Sequence, residues 1–255
     1  MASPLRGLAR RLLGVTRTPT YYLPWLTRPG LTCTLLLHNV EARFKPGRNV
    51  GPFRVVATQH DADGSVVRRY EVEVPDSTTT RELTLEPTAD GWGFVTVASD
   101  LHSDLFVTLA SQHDYTATHG RNEFVERYPR RTRWLLGALG ALLALVGRTI
   151  PAFARDQYVY VGGDSRSHVL LMNLSNVRNR VRIRVCDQDA RVASRLVTLP
   201  PMGSHLLEAT ILGDHPASGI AVRRVHFEGN AWFNLYLVGA GPRDLAGPLS
   251  LMHVK

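Results

Sequence analysis

The densest grouping of side chains able to hold a cation is Asp100, His102 and Asp104, followed further along by His113 and His119. Alternate residues of an extended segment share a face, so Asp100, His102 and Asp104 would offer two carboxylates and an imidazole to one ion. That donor set suits zinc, manganese or iron. The competing reading is a polar turn on a solvated strand edge. A divalent metal ion is thus the one cofactor the sequence raises, against no cofactor at all, and it would make the chain a metal-dependent enzyme on a jelly-roll-like scaffold. No nucleophile elbow of the Gly-x-Ser-x-Gly kind and no Walker-type phosphate loop is present, so the sequence leans toward a noncatalytic protein.

A second chemistry is cationic. The net charge is +8, and nearly every cation is arginine. Arg180, Arg182 and Arg184 alternate with Val181, Ile183 and Val185, which puts the guanidinium groups on one strand face where they could meet phosphates, acidic glycans or lipid headgroups. An ordinary solvated sheet face is the alternative. Aromatic side chains are not interleaved with these arginines, which argues against single-stranded nucleic acid as partner.

The third chemistry is interfacial. Residues 134–147 are uninterrupted apolar sequence, preceded by Arg130, Arg131 and Arg133 and closed by Arg148. As a helix this stretch covers roughly 21 Å, short of the roughly 30 Å hydrocarbon core of a bilayer. Three fates remain open: a helix lying in the membrane interface, a helix buried between two domains, and a span lengthened through Arg148 and Pro151. In the interfacial reading Trp134, Leu135, Leu139 and Leu142 enter the apolar layer and the arginines stay at headgroup level. The opening residues 4–16 read as a shorter basic amphipathic helix, with Leu5, Leu8, Leu12 and Leu13 opposite Arg6, Arg10 and Arg11.

The elements that would position these residues are strands. Leu35-Leu36-Leu37-His38-Asn39 returns later as Val169-Leu170-Leu171-Met172-Asn173, and Asp61-Ala62-Asp63-Gly64 returns as Asp187-Gln188-Asp189-Ala190. Residues 91–99 match 219–227, and 105–109 match 233–237. The repeat predicts two copies of one module. Within a copy, β-branched alternation marks strands, Asp63-Gly64 marks a hairpin, and Pro200-Pro201 marks a break. Six or seven short strands per copy predict an all-β fold of two tandem antiparallel β-sandwich modules, with an N-terminal and an inter-module apolar helix. The expected boundaries are 1–30 for the basic helix and linker, 31–120 for the first module, 121–156 for the helical connector and 157–255 for the second module. Cys33 and Cys186 fall in different modules and predict idle thiols, not a disulfide framework.

The asparagine after a strand, the acidic Gly-containing turn and the Leu-Pro-Pro-x-Gly-Ser stretch at 199–204 together resemble immunoglobulin-like or fibronectin-type-III-like modules of bacterial proteins. The resemblance spans residues 31 to about 119 and 168 to the end. It lacks the antibody-type cysteine pair around a tryptophan. It implies a Greek-key sandwich and a setting of adhesion, scaffolding or sugar polymers. The function expected on these grounds is a noncatalytic, membrane-peripheral binding or scaffold protein of a bacterial cell envelope. Its partners would be a membrane surface or anionic ligand, together with a protein or glycan.

Overall fold

The computed structural model describes residues 12–39, 51–76, 78–89, 91–101, 105–162, 166–187, 190–212, 219–241 and 244–253. The residues before 12, which include most of the expected N-terminal helix, and His102 and Asp104 lie outside that set.

Among the described residues, nine strands precede a long helix. They are β1 (Thr16–Leu26), β2 (Thr32–Leu37), β3 (Phe53–His60), β4 (Val66–Val74), β5 (Arg81–Thr84), β6 (Trp92–Ser99), β7 (Phe106–Ala110), β8 (Tyr115–His119) and β9 (Arg121–Arg127). Helix α1 (Arg130–Ala144) follows. After it come β10 (Phe153–Gly162), β11 (Arg166–Asn173), β12 (Asn179–Asp187), β13 (Ala190–Leu199), β14 (Ser204–Leu207), β15 (Ile220–Gly229), β16 (Phe233–Gly241) and β17 (Asp244–His253).

The described strands form four sheets, antiparallel within each. The first has the order β4-β3-β6-β1-β9 and the second β5-β2-β7-β8. After the helix, the third runs β10-β15-β12-β13 and the fourth β14-β11-β16-β17. In the first sheet β6 pairs with β3 and β1, and in the second β7 pairs with β2 and with its hairpin partner β8.

Local sequence accounts for most of these elements. Val181, Ile183 and Val185 are fully buried while the intervening arginines are only half-covered, as the alternation predicts. Gly64 closes the β3–β4 hairpin at a φ of +83°, a conformation open to glycine and costly to residues with a Cβ. Two stretches depart from the expected boundaries. Residues 16–26, placed in a linker by the sequence reading, form β1, and residues 121–127, placed in the helical connector, form β9. Both are drawn into the first sheet by continuous pairing: Tyr21 opposite Val97 on one side, and Thr18 opposite Val125 on the other.

Burial in the fourth sheet also departs from a simple inside–outside pattern. Leu170, Met172, Tyr236, Val238 and Leu251 enter the core formed mainly by β1–β7. Val169, Leu171, Leu207, Leu235 and Leu237 enter a second core against the third sheet. Both faces of the fourth sheet are therefore dry, which explains why its strands read as apolar runs without alternation. The two halves meet through this sheet: Tyr236 lies edge-on to Tyr22 with ring centroids 6.1 Å apart and donates its hydroxyl to the His119 carbonyl at 3.0 Å.

An ion pair with a buried carboxylate marks the same seam. The Glu126 side chain is 0% exposed; its Oε1 accepts from Arg17 Nη2 at 2.8 Å, and its Oε2 accepts from the Tyr128 hydroxyl at 2.7 Å. The Glu126 backbone donates to Leu174 O at 2.9 Å, tying β9 to the second half. Removing the cation leaves the buried Glu126 carboxylate without the Arg17 guanidinium, so Arg17→Ala is expected to cost about 1–3 kcal/mol. A urea midpoint within error of the wild type would contradict this.

Candidate functional site

Helix α1 opens at Pro129, whose extended backbone ends β9 and whose missing N–H is no loss at a helix start. It closes where Gly147, at a φ of +63°, lets Gly147 N donate to Ala144 O at 3.0 Å and Arg148 N to Leu143 O at 2.9 Å. Residues turn by about 100° each along a helix, so the sides are easily separated. Thr132 and Gly140 are buried and Leu136 packs into a small cluster with Tyr128, Val177 and Ala231. The Thr132 hydroxyl donates to Leu13 O at 2.9 Å, and a Cβ at Gly140 would stand 2.8 Å from Arg180 Nη1. Small residues thus let the helix lie against the arginine end of β12.

The opposite side is apolar and open to solvent. Trp134 is 74% exposed, Leu142 65% and Leu145 84%, with Leu135, Leu139 and Val146 exposed beside them. This orientation inverts the usual amphipathic helix, which turns its apolar stripe inward. The helix is therefore not covered between domains. No helix among the described residues is long and apolar enough to cross a membrane.

Between the start of α1 and the segment that links β11 to β12 lies a groove of about 340 Å³, lined by Arg130, Arg133, Trp134, Gly137, Asn176 and Arg178 among others. Asn176 fastens its two walls: its Oδ1 accepts from Tyr128 N at 2.7 Å and its Nδ2 donates to Tyr128 O at 3.2 Å. None of the three arginines has a carboxylate partner among the described residues. Next to the groove, the Arg180 guanidinium pKa is pushed down by burial and by the charge of Arg178, and its Nη1 has no hydrogen-bond partner among the described residues.

The predicted arginine row divides along β12. Arg184 bonds Glu228 at 2.6 Å, and Glu228 in turn meets His226, which reaches Asp156 at 3.0 Å. That end of the face is neutralised by its own carboxylates. Arg180, at the other end, lies under α1 near Arg178. No sequence pattern joins Arg178 to Arg130 and Arg133, because the groove exists only once β9 bonds to the segment after β11.

Of the Asp/His grouping, His102 and Asp104 lie outside the described residues, and the structure describes Asp100, His113 and His119. β7 and β8 pair antiparallel with Phe106 opposite His119 and Ala110 opposite Tyr115, so His113, in the intervening turn, sits at the far end of the hairpin from His119. His119 lies against Phe106, which stacks on His38. Asp100 is exposed and its backbone donates to Arg54 O at 3.3 Å. Among the described residues no three His, Cys, Asp or Glu side chains are close enough to hold a metal ion. Cys33 is an inert core thiol, its pKa pushed up to about 12 by burial.

Buried His60 and half-buried His205 give the fold a pH dependence. Burial lowers the pKa of His60 and of His205 from the ordinary 6.5, so the unfolded chain binds more protons at mildly acidic pH. Stability is full above about pH 6.5 and is lost as pH falls through that value toward the folded-state pKa. The urea midpoint is expected to be lower at about pH 5.5 than at about pH 7.5, with a smaller drop in the His60→Gln/His205→Gln variant. An equal drop in both proteins would contradict the assignment.

No protein-family model matches this chain, and no curated protein matches it.

Proposed function

We propose that this is a noncatalytic, membrane-peripheral binding or scaffold protein that rests on an anionic lipid surface through the outward side of α1. The observation that carries this reading is the row Trp134, Leu135, Leu139, Leu142, Leu145 and Val146, exposed on α1 and its closing turn and flanked by Arg130, Arg131, Arg133 and Arg148. Large apolar side chains exposed in one row on a folded protein mark an interaction site. Guanidinium groups on both sides of it match anionic headgroups, and an indole at the helix start suits the headgroup boundary.

The body behind the helix is read as a duplicated β-sandwich. Matching β1 to β10, β2 to β11 and so on through β8 to β17 makes the order β4-β3-β6-β1 correspond to β13-β12-β15-β10, and β5-β2-β7-β8 to β14-β11-β16-β17. This correspondence supports the internal repeat and leaves β9 as an addition to the first copy. A rigid platform of this kind suits a scaffold in the cell-envelope setting that the resemblance to bacterial modules implies. Exposed Tyr158 and Tyr160, beside Ile220 and Val222 on the outer side of the third sheet, offer a second surface for a protein or glycan.

Flotation of the full chain with vesicles of phosphatidylcholine alone or mixed with phosphatidylglycerol tests the docking. The chain is expected to float with the mixed vesicles, less with the neutral ones, and progressively less as salt screens the arginines. A chain that stays at the bottom with both would overturn the reading.

A further inference from the structure

We propose that the groove at the start of α1 is a phosphate-monoester site, and that Arg130, Arg133 and Arg178 hold the phosphate. The proposal rests on the membrane reading for the lipid as ligand source, and on the groove alone for the phosphate chemistry.

Charge is the first argument. The amino end of a helix carries a partial positive charge, and carboxylates are the side chains that stabilise it. Here the first turn has no acidic residue and instead presents Arg130, Arg131 and Arg133. Arg178 approaches from the segment after β11, and no carboxylate lines the groove. Like charges gathered at the positive end of a helix repel one another unless an anion sits among them. Burial, and after it the charge of Arg178, lowers the pKa of neighbouring Arg180.

Shape is the second. Guanidinium forks bind oxyanions through paired N–H donors, and arginines from two walls can grip different oxygens of a tetrahedral phosphate. Asn176 locks those walls through both of its bonds to Tyr128, so the arginine-bearing segments are held in place before any ligand arrives. At about 340 Å³ the space fits a phosphorylated headgroup.

Position is the third. Trp134 belongs both to the groove and to the exposed apolar side of the helix. A phosphate held by the arginines would lie at headgroup depth, with the attached chains leaving toward Leu135, Leu139 and Leu142. A doubly charged monoester, as in phosphatidic acid, makes fuller use of three guanidinium groups than the singly charged diester of phosphatidylglycerol.

The full chain is titrated with phosphatidylcholine vesicles carrying phosphatidic acid or phosphatidylglycerol at matched surface charge. Wild type is expected to bind the phosphatidic acid vesicles about tenfold more tightly. In Arg178→Gln and in Arg133→Gln that ratio is expected to fall toward one, whereas Arg148→Gln, at the other end of the helix, weakens both and keeps it. Competition by inorganic phosphate would show that the site accepts the free ion as well as the lipid. Loss of the ratio in Arg178→Gln without such competition would restrict the ligand to the lipid. Equal affinity of wild type for both vesicles, or an unchanged ratio in Arg178→Gln with circular dichroism intact, would overturn the proposal. If wild type floats with no vesicle the membrane reading fails, and the groove is then judged on inorganic phosphate and glycerol 3-phosphate. A change in Trp134 emission that Arg178→Gln abolishes would sustain the phosphate site, and its absence in wild type would refute it.

Discussion

Trp134→Asp combined with Leu142→Asp is expected to weaken binding to phosphatidylcholine–phosphatidylglycerol vesicles by two orders of magnitude or more, while leaving the folded protein as stable as before. Fully burying a large apolar side chain contributes about 1.5–3 kcal/mol. Each introduced carboxylate is further repelled by the anionic surface, by about 1 kcal/mol. Even if each side chain is only half-inserted, the sum exceeds the roughly 2.7 kcal/mol that corresponds to a hundredfold. Stability is spared because neither side chain is packed: both point away from the cluster of Tyr128, Val177 and Ala231 that anchors the helix. Vesicle co-sedimentation and a thermal melt of the same sample check the two halves of this expectation. A variant that binds normally would show that the apolar side does not enter the bilayer. One that melts early would show that the helix face supports the fold.

The second large effect is expected at Tyr236. Its ring is fully buried between the halves, packed on Tyr22, and its hydroxyl satisfies the His119 carbonyl. Truncation to alanine leaves a cavity lined from both sides of the molecule and is expected to cost about 3–5 kcal/mol. Because the fourth sheet belongs to both cores, the loss should appear in a single transition shared by both halves. In a Trp134→Phe/Trp232→Phe background, fluorescence of Trp25 and Trp92 reports the first half, and site-resolved labelling of the Cys186 thiol reports the second. Coincident urea transitions, both moved in Tyr236→Ala, are the expected result. Two separate transitions of which only one moves would mean that the halves fold independently.

How far the sequence reveals this molecule differs from one element to the next. β12 is legible because its outer face meets solvent and its inner face a core, which forces strict alternation of Arg180, Arg182 and Arg184 with Val181, Ile183 and Val185. β11 and β16 are not, because both of their faces are dry and an apolar run carries no facing information. The hairpin at Asp63-Gly64 and the turn at Pro200–Gly203 are fixed by local backbone chemistry. Their association, with Ser204 N donating to Ala62 O at 2.9 Å, is long-range and leaves no trace in either segment. The same distinction separates the sites. A run such as Trp134 to Val146 announces an apolar helix, yet only packing at Thr132 and Gly140 decides which side faces out. Asp100, His102, Asp104, His113 and His119 look like a donor set in one dimension, yet only the antiparallel pairing of β7 with β8 shows that His113 and His119 sit at opposite ends of one hairpin.

The central claim is that the Trp134 side of α1 enters the lipid. It is tested most directly by quenching the fluorescence of vesicle-bound protein with lipids brominated along the acyl chain, taking the difference between wild type and Trp134→Phe to isolate one indole. The expected result is strong quenching by bromine near the headgroup end of the chain and protection of Trp134 from aqueous iodide. Emission unaffected by brominated lipid and still open to iodide would contradict it.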